Sequence, residues 1–415
     1  MSVSAMPEPD AAAAASLVAP WARGVSAGIV GAGCRWVVYV PDNPLADVVR
    51  ALAGEPGVRT VLATREEEAF GVAAGLYLGG APAAVMLQSS GLGNSINALG
   101  SLLVAYRIPV LIVMSMRGGP GEWNEAQVPV GRAVPGMLAA LGIQHTSADT
   151  VETAEAAVRL AGSLAFGTRS PAACLLPRAL TASSARVPRE RGFDTRLAAL
   201  NGPSTAPDLP DAVEPSGAQT MSRLAATRVL VGRLRDEAVI ASLGHPAYDL
   251  YAAGDRPANF YTWGSMGLAS SIGLGLALAR PDRRVIVCDG EGSLLMNLGS
   301  LATIAVMRPP NLTVVVWDNG EYATTGGQPS ATAYGADLAG AARALGIAGA
   351  ATVRTPAGLE NALMRASAQA EPAVIVAEVT ESEPVAKPPL DCVFLKQRFM
   401  AAIGTPDAST RGAPA

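Results

Sequence analysis

Two polar clusters that follow consecutive apolar runs could together bind a cation. Glu291 lies in a glycine turn after the run 285–288, and Asn319 comes directly after the run 312–317. A helical pattern over 293–307 joins them, so the runs are predicted to be parallel strands whose ends meet at one sheet edge. A carboxylate, an amide carbonyl and a main-chain carbonyl are hard ligands that Mg²⁺ or Ca²⁺ takes beside a phosphate. The pattern therefore predicts a cation site.

The glycines on both sides of Glu291 predict an anion site beside the cation. Gly290 and Gly292 allow a diphosphate to approach the backbone, and a helix beginning at Ser293 offers free N–H groups and the positive end of its dipole. An ordinary strand–turn–helix of a doubly wound sheet is the alternative for the glycines alone. The Asp-Asn-Gly-Glu-Tyr segment at the next strand end favours the binding site.

The same residues resemble the metal motif of thiamine diphosphate (ThDP) enzymes, a GDG followed at a set distance by an NN pair. Here 25 residues separate Gly292 from Asp318. The resemblance implies that Mg²⁺ is bound by the side chains of Glu291 and Asn319 and by the main-chain carbonyl of Glu321. The family has Asp where this chain has Glu291, which leaves metal affinity and metal choice open. Asp289, before the glycine turn, is the less favoured ligand.

Three consecutive glutamates, Glu66, Glu67 and Glu68, begin a predicted helix over 66–78 that is otherwise apolar on all sides. Acids in a first turn also complement the helix dipole, which is the structural alternative. Glu66 shares a face with Ala69 and other apolar residues, where a carboxylate needs a specific partner. In ThDP enzymes a Glu in such an E-x-x-A setting binds N1′ of the aminopyrimidine. The resemblance thus implies that Glu66 is catalytic, with Glu67 as a weaker alternative.

Loops at other predicted strand ends supply further candidates for cofactor binding. Small polar residues in the stretch 86–101 can offer neutral donors and acceptors, although Ser and Asn also cap helices. By the resemblance, Met266 is the bulky residue that wedges between the two cofactor rings, with core packing as its alternative. The predicted cofactor-binding set is Glu66, Gln88, Ser89, Ser90, Asn94, Gly244, His245, Ser265, Met266, Gly290, Gly292, Ser293 and Tyr322.

Two arginines in the segment after the run 110–114 are candidates to bind an anionic substrate end. A guanidinium can pair bidentately with a sulfonate, phosphonate or carboxylate, and Arg117 and Arg132 lie where an active-site loop is expected. Surface salt bridges are the structural alternative for each of them.

Composition limits the class of protein. The chain has 415 residues, half of them apolar, and a net charge of −4, so two cores are expected and nucleic-acid binding is not. Four scattered cysteines without a CxxC indicate a reduced, cytoplasmic setting without a zinc site. No window sustains the apolar run of a membrane span, and Met1 to about Ala15 is expected to be a disordered tail rather than a targeting segment.

Apolar strand-like runs alternate with helical patterns through both halves of the chain. This alternation predicts an α/β protein whose two domains are each a parallel sheet with helices on both faces. We place the domains at 16–184 and 221–403, joined by a Pro-rich and polar linker over 185–220. The resemblance identifies them as the pyrimidine-binding and diphosphate-binding domains of the ThDP fold.

The whole chain resembles the sulfopyruvate and phosphonopyruvate decarboxylases, with the alpha-like and beta-like parts of sulfopyruvate decarboxylase fused in one chain. The stretches TREEEAFGVAAG and EGSLLMNLGSLATIA are among those that carry the resemblance. It implies Mg²⁺- and ThDP-dependent decarboxylation of 3-sulfopyruvate to sulfoacetaldehyde and CO₂. It also implies a homodimer or homotetramer with active sites between subunits. Phosphonopyruvate decarboxylation, a ThDP-dependent carboligation, and a non-catalytic ThDP-fold protein are the alternatives.

Overall fold

The computed structural model describes residues 18–182 and 221–405. The predicted N-terminal tail, the predicted linker over 185–220 and the end of the chain after residue 405 lie outside these described residues. The division into domains at 16–184 and 221–403 therefore stays a prediction at its boundaries.

The first described half is a parallel sheet with connecting helices. Within residues 18–182 six strands have the order β2-β1-β3-β4-β6-β5, and all paired strands are parallel. Its elements are α1 (Pro20–Gly31), β1 (Trp36–Tyr39), α2 (Leu45–Ala53), β2 (Arg59–Leu62), α3 (Glu66–Leu78), β3 (Ala83–Gln88), α4 (Leu92–Ala98), β4 (Leu111–Ser115), α5 (Val128–Ala140), β5 (Gln144–Ser147), α6 (Ala154–Thr168), β6 (Ala172–Leu176) and α7 (Arg178–Thr181).

Helices cover both faces of this sheet because alternate strand residues point to opposite sides. Val37 of β1 packs in one apolar cluster with α1, α2 and α6, whereas its neighbour Val38 packs in another with α3 and α4. Strands buried on both faces explain the continuous apolar runs in the sequence.

The second described half repeats this architecture. Within residues 221–405 six strands have the order β13-β14-β10-β9-β7-β8, again with parallel pairing. Its elements are α8 (Arg223–Arg233), β7 (Ala238–Ala241), α9 (His245–Gly254), β8 (Asn259–Tyr261), α10 (Ala269–Ala279), β9 (Val285–Gly290), α11 (Glu291–Met296), α12 (Ser300–Met307), β10 (Leu312–Asp318), β11 (Glu321–Tyr322), β12 (Gln328–Pro329), α13 (Leu338–Ala344), β13 (Gly349–Val353), α14 (Pro356–Ala368), β14 (Ala373–Glu378) and α15 (Cys392–Ala402). The predicted α/β fold class with two parallel sheets is confirmed.

The two halves contact each other through α3 and α10, which run parallel. A Cβ added at Gly75 would lie 1.9 Å from the carbonyl oxygen of Ile272, and one added at Gly275 would lie 2.0 Å from that of Val72. Glycine is required at both positions because the backbones are in contact. The N-termini of the two helices, which carry Glu66 and follow the Met266 tract, therefore lie at the same end of the pair.

One predicted element was wrong in its extent. The helix expected over 293–307 begins two residues earlier, at Glu291, and is interrupted between Met296 and Ser300. Asn297 leaves the helical conformation with φ −140°, and its side-chain amide donates to Ser271 Oγ at 3.3 Å. The helix therefore ends where the Asn297 side chain makes a tertiary contact, while its main-chain N–H still donates to the Leu294 carbonyl at 3.1 Å.

Several elements were not predicted, namely α1, β5, α6, α7, α9, β8, α10, β11, β12 and α15. β5 is an edge strand with mostly exposed residues, so it lacks the apolar run that identified the central strands. Within the described residues, no helix combines the length and the apolar character needed to cross a membrane.

Candidate active site

A cleft opens at the carboxyl ends of β7, β9 and β10, as expected where an α/β sheet binds ligands. Many of the residues predicted to bind the cofactor or the metal line it: His245, Met266, Gly290, Glu291, Gly292, Ser293, Asn319, Glu321 and Tyr322. Asp289, the less favoured ligand, is fully buried beneath the cleft and is not part of its lining.

Glu291 is the first residue of α11 and is 3% exposed. Its Oε1 is buried and has no hydrogen-bond partner among the described residues. Burial, and then the nearby negative charge of Asp318, raise the pKa of Glu291 to about 7. A buried carboxylate without a compensating partner is costly, and a bound cation would remove that cost.

Asn319 lies just beyond the end of β10, and its side-chain amide is oriented by two contacts. Nδ2 donates to Glu381 Oε2 at 2.6 Å, and Oδ1 accepts from the main-chain N–H of Glu321 at 3.3 Å. The adjacent Asp318 is occupied differently, because its Oδ1 accepts from the Gly320 N–H at 3.1 Å and from Thr332 Oγ1 at 2.7 Å.

Each glycine of the cleft is explained by a different feature of its surroundings. A Cβ at Gly292 would lie 2.3 Å from the Tyr322 ring, so that ring packs directly on the backbone. A Cβ at Gly290 would meet only a side-chain atom of Pro246 at 3.8 Å, which leaves this backbone accessible from the cleft. Gly244 has φ +80° and begins the turn into α9, close to Thr324. A diphosphate can therefore approach the loops as the sequence predicts.

These features fit a divalent cation held together with a diphosphate. Glu291 supplies an uncompensated carboxylate, and Asn319 supplies an amide oxygen that has one weak partner. Glu321 lies beside them in the cleft lining, where its main-chain carbonyl is the third predicted ligand. Hard oxygen donors of this kind suit Mg²⁺.

Asp289 has a different environment from Glu291. Its Oδ1 accepts from the Gly290 N–H at 3.0 Å. Burial raises the pKa of Asp289 to about 6, although hydrogen bonds from Ser293 and Ser242 act in the opposite direction. Asp289 therefore stabilises the turn before α11 by accepting a hydrogen bond from its backbone.

His245 begins α9 and lies at the edge of the same cleft. Its Nδ1 is 3.1 Å from Glu381 Oε1, and its main-chain N–H contacts Thr324 Oγ1 at 3.4 Å. The imidazole is thus connected through Glu381 to the amide of Asn319.

The Met266 tract is held by the first half of the chain. Ser265 has φ +59°, a conformation that a non-glycine residue adopts only when its surroundings impose it, and its Oγ lies 2.7 Å from Ser101 Oγ. Two residues earlier, the Trp263 N–H donates to Tyr106 Oη at 2.8 Å, and this hydroxyl donates to the Tyr261 carbonyl at 3.0 Å. These contacts present the Met266 side chain to the cleft.

Glu66 is half-buried at the first position of α3 and is not among the residues that line the cleft. It packs against the backbone of Gly91, where an added Cβ would lie 2.3 Å from Glu66 Cγ.

The two glutamates that follow Glu66 have other contacts. Glu67 lies 3.3 Å from Arg65, and Glu68 is fully buried. Glu68 Oε2 accepts from the Thr64 N–H at 2.7 Å, so this residue fixes the start of α3. Glu68 therefore has a structural role that the sequence did not indicate.

The polar residues after β3 form part of a network around Asp42, at the carboxyl edge of the first sheet. Asp42 Oδ1 accepts from Gln88 Nε2 at 2.9 Å and from Arg117 Nη2 at 3.0 Å, and Oδ2 accepts from Ser115 Oγ at 2.6 Å. Ser89 Oγ accepts from the Arg117 N–H at 3.0 Å. The charge of Arg117 is therefore balanced by a carboxylate that is 3% exposed.

The remaining predicted residues of the first half are less constrained. Ser90 Oγ is buried and makes no hydrogen bond among the described residues, whereas Asn94 is exposed. Arg132 is exposed on α5. Its guanidinium is thus available to a ligand, unlike that of Arg117.

Sequence reasoning missed three residues that organise these sites: Asp42, Arg223 and Glu381. Asp42 follows a predicted strand, so its position at a strand end was a usable signal. Arg223 and Glu381 are 158 residues apart and meet only in the folded chain, so no local pattern could identify them.

Comparison with known proteins matches both halves to one family. Residues 22–120 match the model "Thiamine pyrophosphate enzyme, N-terminal TPP binding domain", and residues 245–377 match "Thiamine pyrophosphate enzyme, C-terminal TPP binding domain". The chain is 34% identical to a phosphonopyruvate decarboxylase of Streptomyces viridochromogenes over 92% of its length and 95% of that protein. It is 38% identical to a sulfopyruvate decarboxylase of Methanosarcina acetivorans over 74% of its length and 78% of that protein.

Shorter relatives and a solved structure agree with this match. The beta and alpha subunits of sulfopyruvate decarboxylase from Methanothermobacter thermautotrophicus are 55% and 46% identical over 26% and 29% of this chain, covering 58% and 72% of the subunits. The crystal structure of benzoylformate decarboxylase from Polynucleobacter necessarius superposes with a TM-score of 0.65 at 15% identity, covering 89% of this chain and 99% of that chain. At this identity the likeness concerns the fold.

Proposed function

The chain belongs to the thiamine pyrophosphate enzyme family, and we propose that it catalyses the ThDP- and Mg²⁺-dependent, non-oxidative decarboxylation of a 3-substituted pyruvate. The observation that carries this proposal lies at the ends of β9 and β10. There, a buried Glu291 with an unpartnered Oε1 lies in the same cleft as an oriented Asn319 amide. This pairing provides what a cation beside a diphosphate needs.

In the proposed reaction the C1–C2 bond of the substrate breaks, CO₂ leaves, and a proton is added at C2 to give the aldehyde. Bound ThDP would supply an electron sink for the pair released when CO₂ departs. Glu291, Asn319 and the Glu321 carbonyl would hold Mg²⁺. Met266 would support the cofactor rings, and Glu66 would hold a proton at N1′ of the aminopyrimidine. Trp317 and Tyr322 contribute aromatic side chains to the lining of the described cleft.

We propose 3-sulfopyruvate as the substrate, with sulfoacetaldehyde as the product. The support is electrostatic: Asp42 cancels the charge of Arg117, so Arg117, Arg132 and Asp42 together leave one positive charge. A sulfonate carries one negative charge, whereas a phosphonate carries up to two. Arg117, whose charge is neutralised by Asp42 but whose guanidinium still donates directional hydrogen bonds, suits the singly charged sulfonate better than the phosphonate.

Phosphonopyruvate is the second candidate substrate, with phosphonoacetaldehyde as the product. A relative that matches 92% of this chain is a phosphonopyruvate decarboxylase, which favours this alternative. Carboligation of the same keto acid with an aldehyde would use the same cofactor, and a non-catalytic ThDP-fold protein is the remaining possibility.

Incubation of the protein with ThDP, MgCl₂ and each of sulfopyruvate, phosphonopyruvate and pyruvate tests these candidates. Mass spectrometry of the products identifies the aldehyde or a ligated ketone, and initial rates give kcat/KM for each substrate. The proposal expects sulfoacetaldehyde, the highest kcat/KM with sulfopyruvate, and no product when ThDP is omitted. A higher kcat/KM with phosphonopyruvate would overturn the substrate assignment. Absence of both turnover and ThDP binding would overturn the proposed function.

We further propose a homodimer or homotetramer in which each site is shared by two chains. Support comes from Glu66, which does not line the cleft containing Glu291 within one chain. Co-expression of Glu66→Ala with Glu291→Ala tests this arrangement. Random pairing of shared sites would restore about one quarter of the wild-type activity, since half of the dimers are mixed and each has one intact site. No recovery in verified mixed dimers would contradict the shared site.

The cellular setting is also part of the proposal. Cys34, Cys174, Cys288 and Cys392 are all free thiols, and the first three are buried. This supports the reduced, cytoplasmic location predicted from the sequence. Fractionation of cells that express the chain from its own promoter would test it.

A further inference from the structure

We propose, on the basis of the proposed function, that Glu381 is a positioning residue for the cation site. It lies just beyond the end of β14 and is not among the residues that line the cleft. Its carboxylate fixes which end of the Asn319 side-chain amide faces the cation, and its other oxygen lies 3.1 Å from His245 Nδ1. Buried Arg223 holds the carboxylate in place.

The contacts of Glu381 converge on one side of the cleft. Oε2 accepts from Asn319 Nδ2 at 2.6 Å and from Arg223 Nη1, and Oε1 is 3.1 Å from His245 Nδ1. Asn319, His245 and Arg223 all line the cleft. A single carboxylate therefore connects a predicted cation ligand, a predicted diphosphate-binding histidine and a buried cation.

The orientation of Asn319 matters because its amide has one oxygen and one NH₂ group. Only the oxygen can bind a cation, and a carboxylate such as Glu381 can only accept hydrogen bonds. Glu381 therefore captures the NH₂ group and leaves Oδ1 for the ligand. Without Glu381 the amide can rotate and direct its NH₂ group toward the cation, which is repulsive.

Arg223 makes the position of Glu381 rigid. Arg223 is 3% exposed, and its Nε donates to the fully buried Asp249 at 2.7 Å. Its Nη2 donates to the Ser382 carbonyl at 2.7 Å, and its main-chain N–H donates to the Thr380 carbonyl at 3.0 Å. The residues on both sides of Glu381 are thus tied to the start of α8. Partners of this kind, which touch a metal ligand and not the metal, commonly change metal affinity strongly.

Titration of the full chain with MgCl₂ at saturating ThDP tests the role of Glu381. Trp317 lines the cleft, so its fluorescence provides the signal, and calorimetry provides an independent one. Glu381→Ala should weaken Mg²⁺ binding by about 10- to 100-fold. Glu381→Gln, which keeps one acceptor oxygen and the shape, should weaken it less. Glu371→Ala is the matched control, because Glu371 also pairs with an arginine and has a similar side-chain exposure, 25% against 30%. It should change Mg²⁺ affinity less than about twofold.

Asn319→Asp separates orientation from general stability. An aspartate has two oxygens and no wrong orientation, so it should improve Mg²⁺ binding in the Glu381→Ala background. In the wild-type background it places a second carboxylate against Glu381 and should not help. The change in Mg²⁺ affinity caused by Asn319→Asp should differ between the two backgrounds by about tenfold or more. A purely structural role for Glu381 predicts the same change in both.

The outcomes separate this inference from the proposed function. If the wild type binds ThDP with Mg²⁺ but Asn319→Asp has the same effect in both backgrounds, the positioning role is refuted and the proposed function stands. If the wild type binds no ThDP with Mg²⁺, the proposed function itself fails. Should Glu381→Ala not fold, judged by circular dichroism, Glu381→Gln with and without Asn319→Asp provides the same comparison.

Discussion

Replacement of Glu291 with glutamine should make the cofactor-free protein more stable near pH 8 and leave its stability near pH 4 almost unchanged. The reason is that burial, and then Asp318, raise the pKa of Glu291 from its ordinary 4.5 to about 7. Near pH 4 the carboxyl group is therefore mostly neutral in both the folded and the unfolded protein, and glutamine imitates this neutral form in size and polarity. Near pH 8 the folded protein carries a buried negative charge that glutamine lacks.

The magnitude follows from the difference between the folded and unfolded pKa values. A pKa unit corresponds to about 1.4 kcal/mol, so the rise from 4.5 to about 7 corresponds to about 3 kcal/mol. Because the folded pKa is raised, this stabilising contribution is fully present below pH 4.5 and is lost as pH rises through about 7. Wild-type stability should therefore fall by about 3 kcal/mol relative to Glu291→Gln across this range.

Urea unfolding of both proteins at several pH values, without ThDP or divalent cations, measures the difference in unfolding free energy. Glu125→Gln, which changes an exposed glutamate, serves as the control and should give no pH-dependent difference. Addition of Mg²⁺ with ThDP should stabilise the wild type near pH 8 and have little effect on Glu291→Gln. A difference between wild type and Glu291→Gln that is constant across pH would refute the uncompensated buried charge, and with it the physical basis of the cation site.

Four further changes have expected outcomes. Glu66→Ala should abolish decarboxylation and leave the circular dichroism spectrum unchanged, and substantial residual turnover would contradict its role as the proton relay. Gly275→Ala should lower the unfolding free energy by about 3 kcal/mol or more, because the added methyl group meets a backbone carbonyl 2.0 Å away; a neutral result in urea unfolding would contradict the close contact of α3 and α10. Tyr106→Phe should cost about 1 to 3 kcal/mol in the same assay, since it leaves the partly buried Trp263 N–H without its acceptor. Asp42→Asn should raise kcat/KM for phosphonopyruvate relative to sulfopyruvate several-fold by unmasking Arg117, and an unchanged ratio would refute the charge argument.

The strand ends were the part of the site that local sequence could predict. An apolar run followed by a glycine turn marks the end of a buried parallel strand, and all such ends in one sheet lie at the same edge. This is why Glu291 and Asn319 could be assigned to one place although 27 residues lie between them. The fold class followed from the same alternation of runs and helical patterns.

Other features depend on contacts between residues that are far apart in the chain. The predicted helix over 293–307 is interrupted at Asn297, whose side chain bonds to Ser271 of another helix, and nothing near Asn297 in sequence indicates this partner. The buried Glu68 also looked like its half-buried neighbours, because a run of three glutamates does not reveal which one turns inward.

The sequence by itself determined that two parallel sheets form and that a carboxylate and an amide meet at the edge of the second one. Tertiary structure alone decided how the charges at the two sheet edges are balanced: Asp42 neutralises Arg117 at the edge of the first sheet, and Glu381 connects Arg223 to Asn319 at the edge of the second. The physical reason is the distance along the chain between the residues that interact. Strand and helix patterns are set by neighbouring residues, whereas a buried charge is stabilised by whichever partner the packing of distant segments brings within a few ångströms.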